Sequence, residues 1–584
     1  MTTLQNSFIK TSKKQQRLLV GILCLFFVML SLASLLLPLK ESLTYDEDYY
    51  YASGEAILSG QPSKRGETDI GERNIMPSNA LNPLISRSIT AFKPGPMKRS
   101  RAIFIGKLAT ILISVLLAIY VFIWSRQLYG VGSGFLALAL YILDPNIIAH
   151  SRIVHQDIYG AFGIFVATYY FWQLLKFGGY KNTVLSIVSF GIAQISRFTS
   201  IYLIPIYLIL AIGFYHSAIL KALKLGNFKV VWLGIKRACI YICLLVLTTV
   251  LIINLGFSFD KTFTKFGDYK FESQSLSSLQ AKSAVLRAMP VPVPYAYLRG
   301  LDMGKQKQEQ AFGNTPAYLM GKLGLEDGKK RGFKEYFIVA FLYKVPIATQ
   351  IILLMAVVSL FRFRRQICFW QNEAFLIVPS LFCVTTLSFS NAQIGIRYIL
   401  MIFPFLFVLS SRAALSWDIL KARYRLFVIG LVAYLLVSNL SYFPHYLSYF
   451  NELLVDRRMG YTILGDSNID WGQNQAYLQK YLEKNTSAFY LRYEYVNGAI
   501  VNGVIRGEER LKITNAQGQE IAAQDLQSGL LIVSVNQLLG ITINPTYFEW
   551  LRELKKPIDH VAYSYLVFEM EPQDIHHLLK TKDI

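Results

Sequence analysis

The chain has 584 residues, 53% hydrophobic and 14% aromatic, and only 16% carry a charge, against about 25% in ordinary soluble proteins. Together with a positive mean hydropathy and repeated apolar runs of roughly 20 residues, this excludes a soluble globular domain and points to a polytopic membrane protein. The net charge of +22 does not indicate nucleic acid, because 19 Lys/Arg against two acids (Glu373, Asp418) gather in segments 10–17, 125–130, 176–182, 215–237, 361–373 and 412–425, on alternate sides of the apolar runs. That is the positive-inside pattern, whereas a DNA-binding stripe collects its charge on one folded face.

The first apolar run, Leu18 to Leu39, is too long for a cleaved signal peptide and no small-x-small site follows it. It reads as a retained span. Eleven spans are expected, near 18–39, 103–124, 132–149, 158–175, 183–196, 198–214, 238–256, 336–360, 374–390, 398–411 and 426–445. The fifth and sixth are short, meet at Arg197-Phe198, and read as a helical hairpin that need not fully cross. With a cytoplasmic N-terminus, segments 40–101, 150–157, Arg197, 257–335, 391–397 and everything after 446 lie outside the cell membrane.

Two of these outer segments are long. The first opens TYDEDYYYASGEAILSG, where Tyr49, Ala52, Ala56, Ile57 and Leu58 recur at helical spacing. A helix lying on the membrane surface fits. The other holds MPVPVPYAYLRG, whose alternating prolines force an extended path. Loops of such length in compact proteins are usually functional.

The tail is not apolar enough to span. Asp470 can cap a helix running to about Lys484, with Gln473 completing a capping box. Strand-like runs follow at Ala488–Tyr495, Leu530–Val535 and His560–Glu569. The expected fold is thus a polytopic α-helical membrane domain over 1–445 with a small C-terminal extracytoplasmic α/β domain over 446–584. Cys24, Cys239, Cys243, Cys368 and Cys383 all fall in spans or cytoplasmic segments, so no external disulfide framework is expected. Cys239 and Cys243 stand at helical spacing, which reads as core packing rather than metal binding.

Three groups can carry chemistry. Asp46-Glu47 begins the first outer segment, where carboxylates beside apolar walls can act as a base or hold a metal. Their structural alternative is capping, by Asp46 and Asp48, of the surface helix. His150, Arg152, His155 and Asp157 fall within eight residues. His155 and Asp157 are of the types that bind a divalent ion, Arg152 could neutralise phosphate, and a solvated turn is the plainer reading. Arg197, Lys344 and Arg397 stand near the outer boundary, where ionisable residues are costly and usually face a cavity or partner. Three cations on one surface suit a lipid phosphate or pyrophosphate. Snorkelling to headgroups is the alternative, weaker for the deeper Lys344. In GDSNIDWGQ, Asp466, Asn468 and Asp470 alternate as at the start of a calcium loop, but Trp471 interrupts and the later Glu is missing, so a turn and helix cap is preferred. Asn485-Thr486-Ser487 is a formal glycosylation sequon.

An acidic pair after the first span resembles the GT-C membrane glycosyltransferases, within them the protein O-mannosyltransferase and lipid A aminoarabinose-transferase branch. Further stretches resemble that branch in order: DPNIIAHSRIVHQD, AQISRFTSIYLIP, YFIVAFLYKVPIA, IGIRYILMIFPF, YFPHYLSYFNELL, GDSNIDWGQNQAYLQKYL, SGLLIVSVNQLLG and VAYSYLVFEM. The resemblance implies a polyprenyl-phosphate sugar donor, a protein or glycolipid hydroxyl acceptor, membrane lipid around the chain and transfer on the extracytoplasmic face. It places the base at Asp46, gives Glu47 support of the acceptor or the loop, and puts the second acid at Asp157. Arg197, often Lys in relatives, would join Lys344 and Arg397 at the donor phosphate. Some relatives bind a divalent metal and others do not, so metal dependence does not carry over. A transporter or lipid-sugar flippase, or a non-catalytic scaffold, is the competing reading, although the acids gather in outer segments and form no relay through the spans.

Overall fold

The computed structural model describes residues 12–36, 42–62, 75–91, 98–311, 315–362, 368–415, 422–485, 488–501, 504–515, 517, 519–521 and 528–574. The end of the first apolar run and two residues of the sequon, 486 and 487, lie outside the described residues. In chain order the principal helices are α1 (Lys13–Leu36), α2 (Glu47–Leu58), α3 (Leu81–Thr90), α4 (Arg99–Tyr129), α5 (Val131–Ile142), α6 (Pro145–Ser151) and α7 (Gln156–Phe177). They continue as α8 (Tyr180–Gln194), α9 (Leu203–Lys224), α10 (Phe228–Gly256), α11 (Gln274–Lys282), α12 (Ala284–Ala288) and α13 (Tyr295–Gln310). The last are α14 (Tyr336–Lys344), α15 (Ile347–Arg362), α16 (Ala374–Ser388), α17 (Phe403–Ser410), α18 (Ala422–Leu440) and α19 (Gln475–Lys484).

Among the described residues, seven helical stretches are long and apolar enough to cross a membrane: Lys13–Leu36, Arg99–Tyr129, Gln156–Phe177, Phe198–Lys224, Phe228–Gly256, Ile396–Ala414 and Ala422–Leu440. The bent pairs α5–α6 (62°) and α14–α15 (113°) bring the number to nine. The other two of the eleven expected spans are also helices, α8 and α16, of 15 residues each. At 1.5 Å per residue they reach only about 22 Å, short of a hydrocarbon core of about 30 Å.

Large aromatic side chains fill the centre of the bundle. Trp124 of α4 meets Phe165 of α7 at 5.0 Å, Trp172 at 5.9 Å and Phe405 of α17 at 6.1 Å between ring centroids. The face of α9 bearing Ile204, Leu208 and Ile212 is open, as lipid-facing surface is. Cys239 and Cys243 are exposed on α10, not packed in the core as their spacing suggested. The reason is that α10 packs along one stripe, on α8 and α9, leaving most of its surface outward.

Residues 47–58 do form the expected helix, α2, but its buried face is Tyr50, Tyr51, Ala52 and Ile57, while Tyr49 and Ala56 of the expected stripe are half-buried and Leu58 is exposed. The proline run lies extended: Val291 N–H donates to Thr264 and Phe263 N–H to Val291, before α13 starts behind Pro294. In the tail, the strands run in the order Val504–Asn515, Ala488–Val501, Gly529–Ser534, Tyr565–Met570, Asp559–Val561. Ala488–Val501 is parallel to Gly529–Ser534, and the other neighbours are antiparallel. Ile469, Trp471, Leu531 and Phe568 of the tail belong to the same continuous buried core as the helices. Asp470 does not cap the tail helix. Asn474 holds that position, and Asp470 instead accepts the Gly472 N–H at 3.0 Å, closing a tight turn one step earlier.

Candidate active site

The site is assembled from the N-terminus of α2, the 152–157 corner, the α8–α9 break and the Gly395–Tyr398 turn. Asp46 occupies the N-cap position of α2 but makes no side-chain capping bond. Its carboxylate is therefore not consumed by the helix. It is 36% exposed and its Oδ2 lies 3.7 Å from Arg397 Nη1.

Successive residues at a helix start diverge by about 100°, and Glu47 turns the other way. It is fully buried, its Oε1 sits 3.0 Å from Lys107 Nζ, and it accepts the Thr44 and Val154 N–H groups at 2.9 and 3.0 Å. Glu47 thus ties α2 to the corner that carries His155, away from Asp46.

From Asp46 a line of charged groups crosses the site. Arg397 Nη1 is 3.0 Å from His155 Nε2. His155 Nδ1 is 2.8 Å from Asp157 Oδ2, and Asp157 Oδ1 is 2.7 Å from Arg197 Nη1. A guanidinium can only donate, so His155 Nε2 accepts and its proton sits on Nδ1, facing the carboxylate. Burial lowers the proton affinity of His155, against the pull of Asp157, which agrees with a neutral ring. Arg197 reaches Asp157 across α7 because position 160 is glycine: a Cβ there would stand 2.7 Å from Arg197 Cδ.

These groups open on a cavity of about 810 Å³. Its lining mixes polar residues, among them Asp46, Tyr50, His155, Arg197, Lys305, Lys307, Arg397 and Tyr398, with apolar ones such as Phe198, Ile201, Leu276, Leu298, Leu301 and Leu387. The lining offers one carboxylate, two guanidinium and two ammonium groups, and its apolar residues suit a hydrocarbon chain.

Two expected cations are elsewhere. Lys344 is fully buried and donates to the carbonyls of Leu447 and Asn468 at 2.9 and 2.7 Å. Arg152 donates to the carbonyls of Ser34 and Pro444 at 3.0 and 2.8 Å. Neither lines the large cavity. Irregular backbone and helix ends at membrane depth leave carbonyls that water cannot reach, and these two side chains satisfy them.

The residues offered as divalent-ion ligands do not fit one. Neither ring nitrogen of His155 keeps a free lone pair, and Asp157 lies between His155 and Arg197. Among the described residues no group of three or more His, Cys, Asp or Glu is placed to hold a metal ion.

Trp471 and Tyr50 were not singled out from sequence. The Trp471 ring covers the Arg397 guanidinium at 3.9 Å, and Tyr50 meets the His155 ring edge-on at 4.3 Å. The one signal was an indole standing in an otherwise polar turn. The same turn holds two carboxyls with altered affinity. Burial pushes Asp466 up to about 7, against the opposing pull of Arg397, and burial pushes Asp470 up to about 6. A carboxyl raised on folding contributes stability that is complete below the unfolded value near 3.8 and is lost as pH rises through the folded one. The Tm is therefore expected to fall between pH 4 and pH 7 through these groups, and Asp466→Asn to flatten the upper part of that slope. Thermal unfolding in detergent across that range checks it. An unchanged slope in the variant refutes the assignment.

Residues 99–253 match the family model described as dolichyl-phosphate-mannose-protein mannosyltransferase. The chain resembles the GT-C membrane glycosyltransferases. The match runs from α4 into α10 and holds Asp157 and Arg197, while Asp46 and Arg397 lie outside it. Among solved structures, ArnT from Cupriavidus metallidurans bound to undecaprenyl phosphate is similar at 11% identity and TM-score 0.45, over 96% of this chain and 98% of that one. The same protein in its apo state gives 11% and 0.39, over 94% and 98%. The apo oligosaccharyltransferase of Archaeoglobus fulgidus gives 14% and 0.45, over 82% of this chain and 58% of that one. No curated protein matches the sequence.

Proposed function

We propose that the chain is a glycosyltransferase that moves a hexosyl or pentosyl group from a polyprenyl-phosphate carrier to a hydroxyl of a protein or glycolipid, on the extracytoplasmic face. One observation carries this reading: a carboxylate free of capping duty stands 3.7 Å from a buried guanidinium in a cavity lined by both charged and apolar side chains. The positive-inside count supports a cytoplasmic N-terminus and an extracytoplasmic tail over 446–584.

In the reaction, Asp46 accepts the proton of the acceptor hydroxyl. The acceptor oxygen bonds to the anomeric carbon as the bond from that carbon to the phosphate oxygen breaks. The phosphate leaves with the electron pair, and Arg397 and Arg197 take up its growing charge. One attack from the opposite face inverts the anomeric carbon. Asp157 and His155 hold the two guanidinium groups apart and oriented. No step is routed through a metal ion.

A lipid-sugar flippase or transporter would pass the carrier intact. The deciding experiment supplies purified protein in nanodiscs with polyprenyl-phosphate-linked sugars and hydroxyl acceptors. Free polyprenyl phosphate appearing together with glycosylated acceptor is the expected result. Movement of intact carrier between leaflets with no cleavage overturns it.

A further inference from the structure

The tail turn reaches into the site through one side chain. Trp471 is only 5% exposed and belongs to a buried turn of the tail. Its indole face lies 3.9 Å from the Arg397 guanidinium carbon, and its edge approaches the His155 ring at 5.2 Å. The backbone holding it is fixed on both sides. Trp471 N–H donates to Gln473 Oε1 at 2.7 Å, and the Trp471 carbonyl accepts the Tyr45 N–H at 3.0 Å. Ser42 N–H donates to the Gln473 carbonyl at 3.2 Å. Gly472 has φ +86°, and a Cβ there would meet the Tyr45 ring at 2.9 Å, so only glycine lets the two segments close.

The segment leading to Asp46 and the ring capping Arg397 are thus joined in one turn. A guanidinium donates hydrogen bonds in its plane and stacks through its face. Capping the face with an indole leaves the edge to work. On that edge Nη1 is shared between His155 and Asp46, and Nε makes no hydrogen bond. This gives the tail a role in the membrane site that its position in the sequence does not suggest.

We propose that Trp471 is a positioning residue: its ring holds the Arg397 guanidinium edge-on to the cavity for the phosphate of the lipid donor, so that the tail completes the membrane site. The inference rests on the glycosyltransferase reading. The test uses the full-length protein and measures binding of polyprenyl phosphate. Trp471→Leu keeps an apolar group without the π face and is expected to weaken binding ~10-fold, while Trp471→Phe stays within about threefold of wild type. Because a buried indole also packs, fluorinated tryptophans are installed at position 471 in parallel. They keep the shape and withdraw charge from the ring face, so binding should weaken in step with fluorine number. A flat fluorine series, or Trp471→Leu binding like wild type, overturns the positioning role even where Arg397→Gln loses binding. Equal binding by wild type and Arg397→Gln instead overturns the phosphate assignment on which it rests.

Discussion

Asp46→Asn is expected to lower kcat for sugar transfer by about 10²–10⁴-fold, the usual contribution of a general base, with polyprenyl-phosphate binding held within about threefold. The amide keeps the shape of the carboxylate and cannot take the acceptor proton. Three observations argue that little else changes. Asp46 makes no capping bond, so α2 does not depend on it. Glu47 anchors the helix start independently through Lys107 and two backbone amides. The pair with Arg397 is long, at 3.7 Å, and one-third exposed on the carboxylate side, where ion pairs contribute little. Single-turnover transfer, binding and Tm measured on the same preparation check this. An unchanged kcat sinks the base assignment. Loss of binding in proportion to kcat would instead mean that Asp46 acts through Arg397.

The helical elements were largely legible, because a membrane imposes long apolar runs and charge asymmetry that survive in any sequence window. The two runs too short to span, α8 and α16, still form helices, since the apolar signal reports burial and not length. The α2 helix was legible, but its buried face was not, since Tyr50 and Tyr51 are buried while Leu58 is exposed. Within the site, Asp46, Arg197 and Arg397 do meet at one cavity, with Asp157 buried behind them against Arg197 and His155. Lys344 and Arg152 looked equivalent to them but are engaged by backbone carbonyls. Sequence shows a cation near a boundary, not whether unsatisfied carbonyls stand beside it. Trp471 was illegible as a site residue because the contact joins positions 397 and 471 through tertiary packing alone. The tail strand Val504–Asn515 was missed as well, since VIRGEERLKITN lacks a long apolar run.

Glu47→Ala is expected to destabilise the protein by about 3–5 kcal/mol, the cost of breaking a buried ion pair by removing one partner. Lys107 is 3% exposed and Glu47 is fully buried, so the ammonium left behind has no water to turn to. The Thr44 and Val154 amides, which now donate to the carboxylate, would also lose their acceptor. Glu47→Gln keeps one carbonyl acceptor and removes the charge, so it should lie between the wild type and Ala. Pairing it with Lys107→Met removes the stranded cation and should recover most of the loss, as replacing both members of a buried pair by well-packed groups often does. Transfer activity should fall alongside Tm, because this pair holds the segment before Asp46 against the corner that carries His155. Thermal unfolding and kcat across the set separate two roles for this residue. A positioning role moves both together and is relieved by the double variant. If Glu47→Ala keeps its Tm and loses kcat, Glu47 contacts the reacting groups in the working enzyme, and its burial against Lys107 is only the resting arrangement.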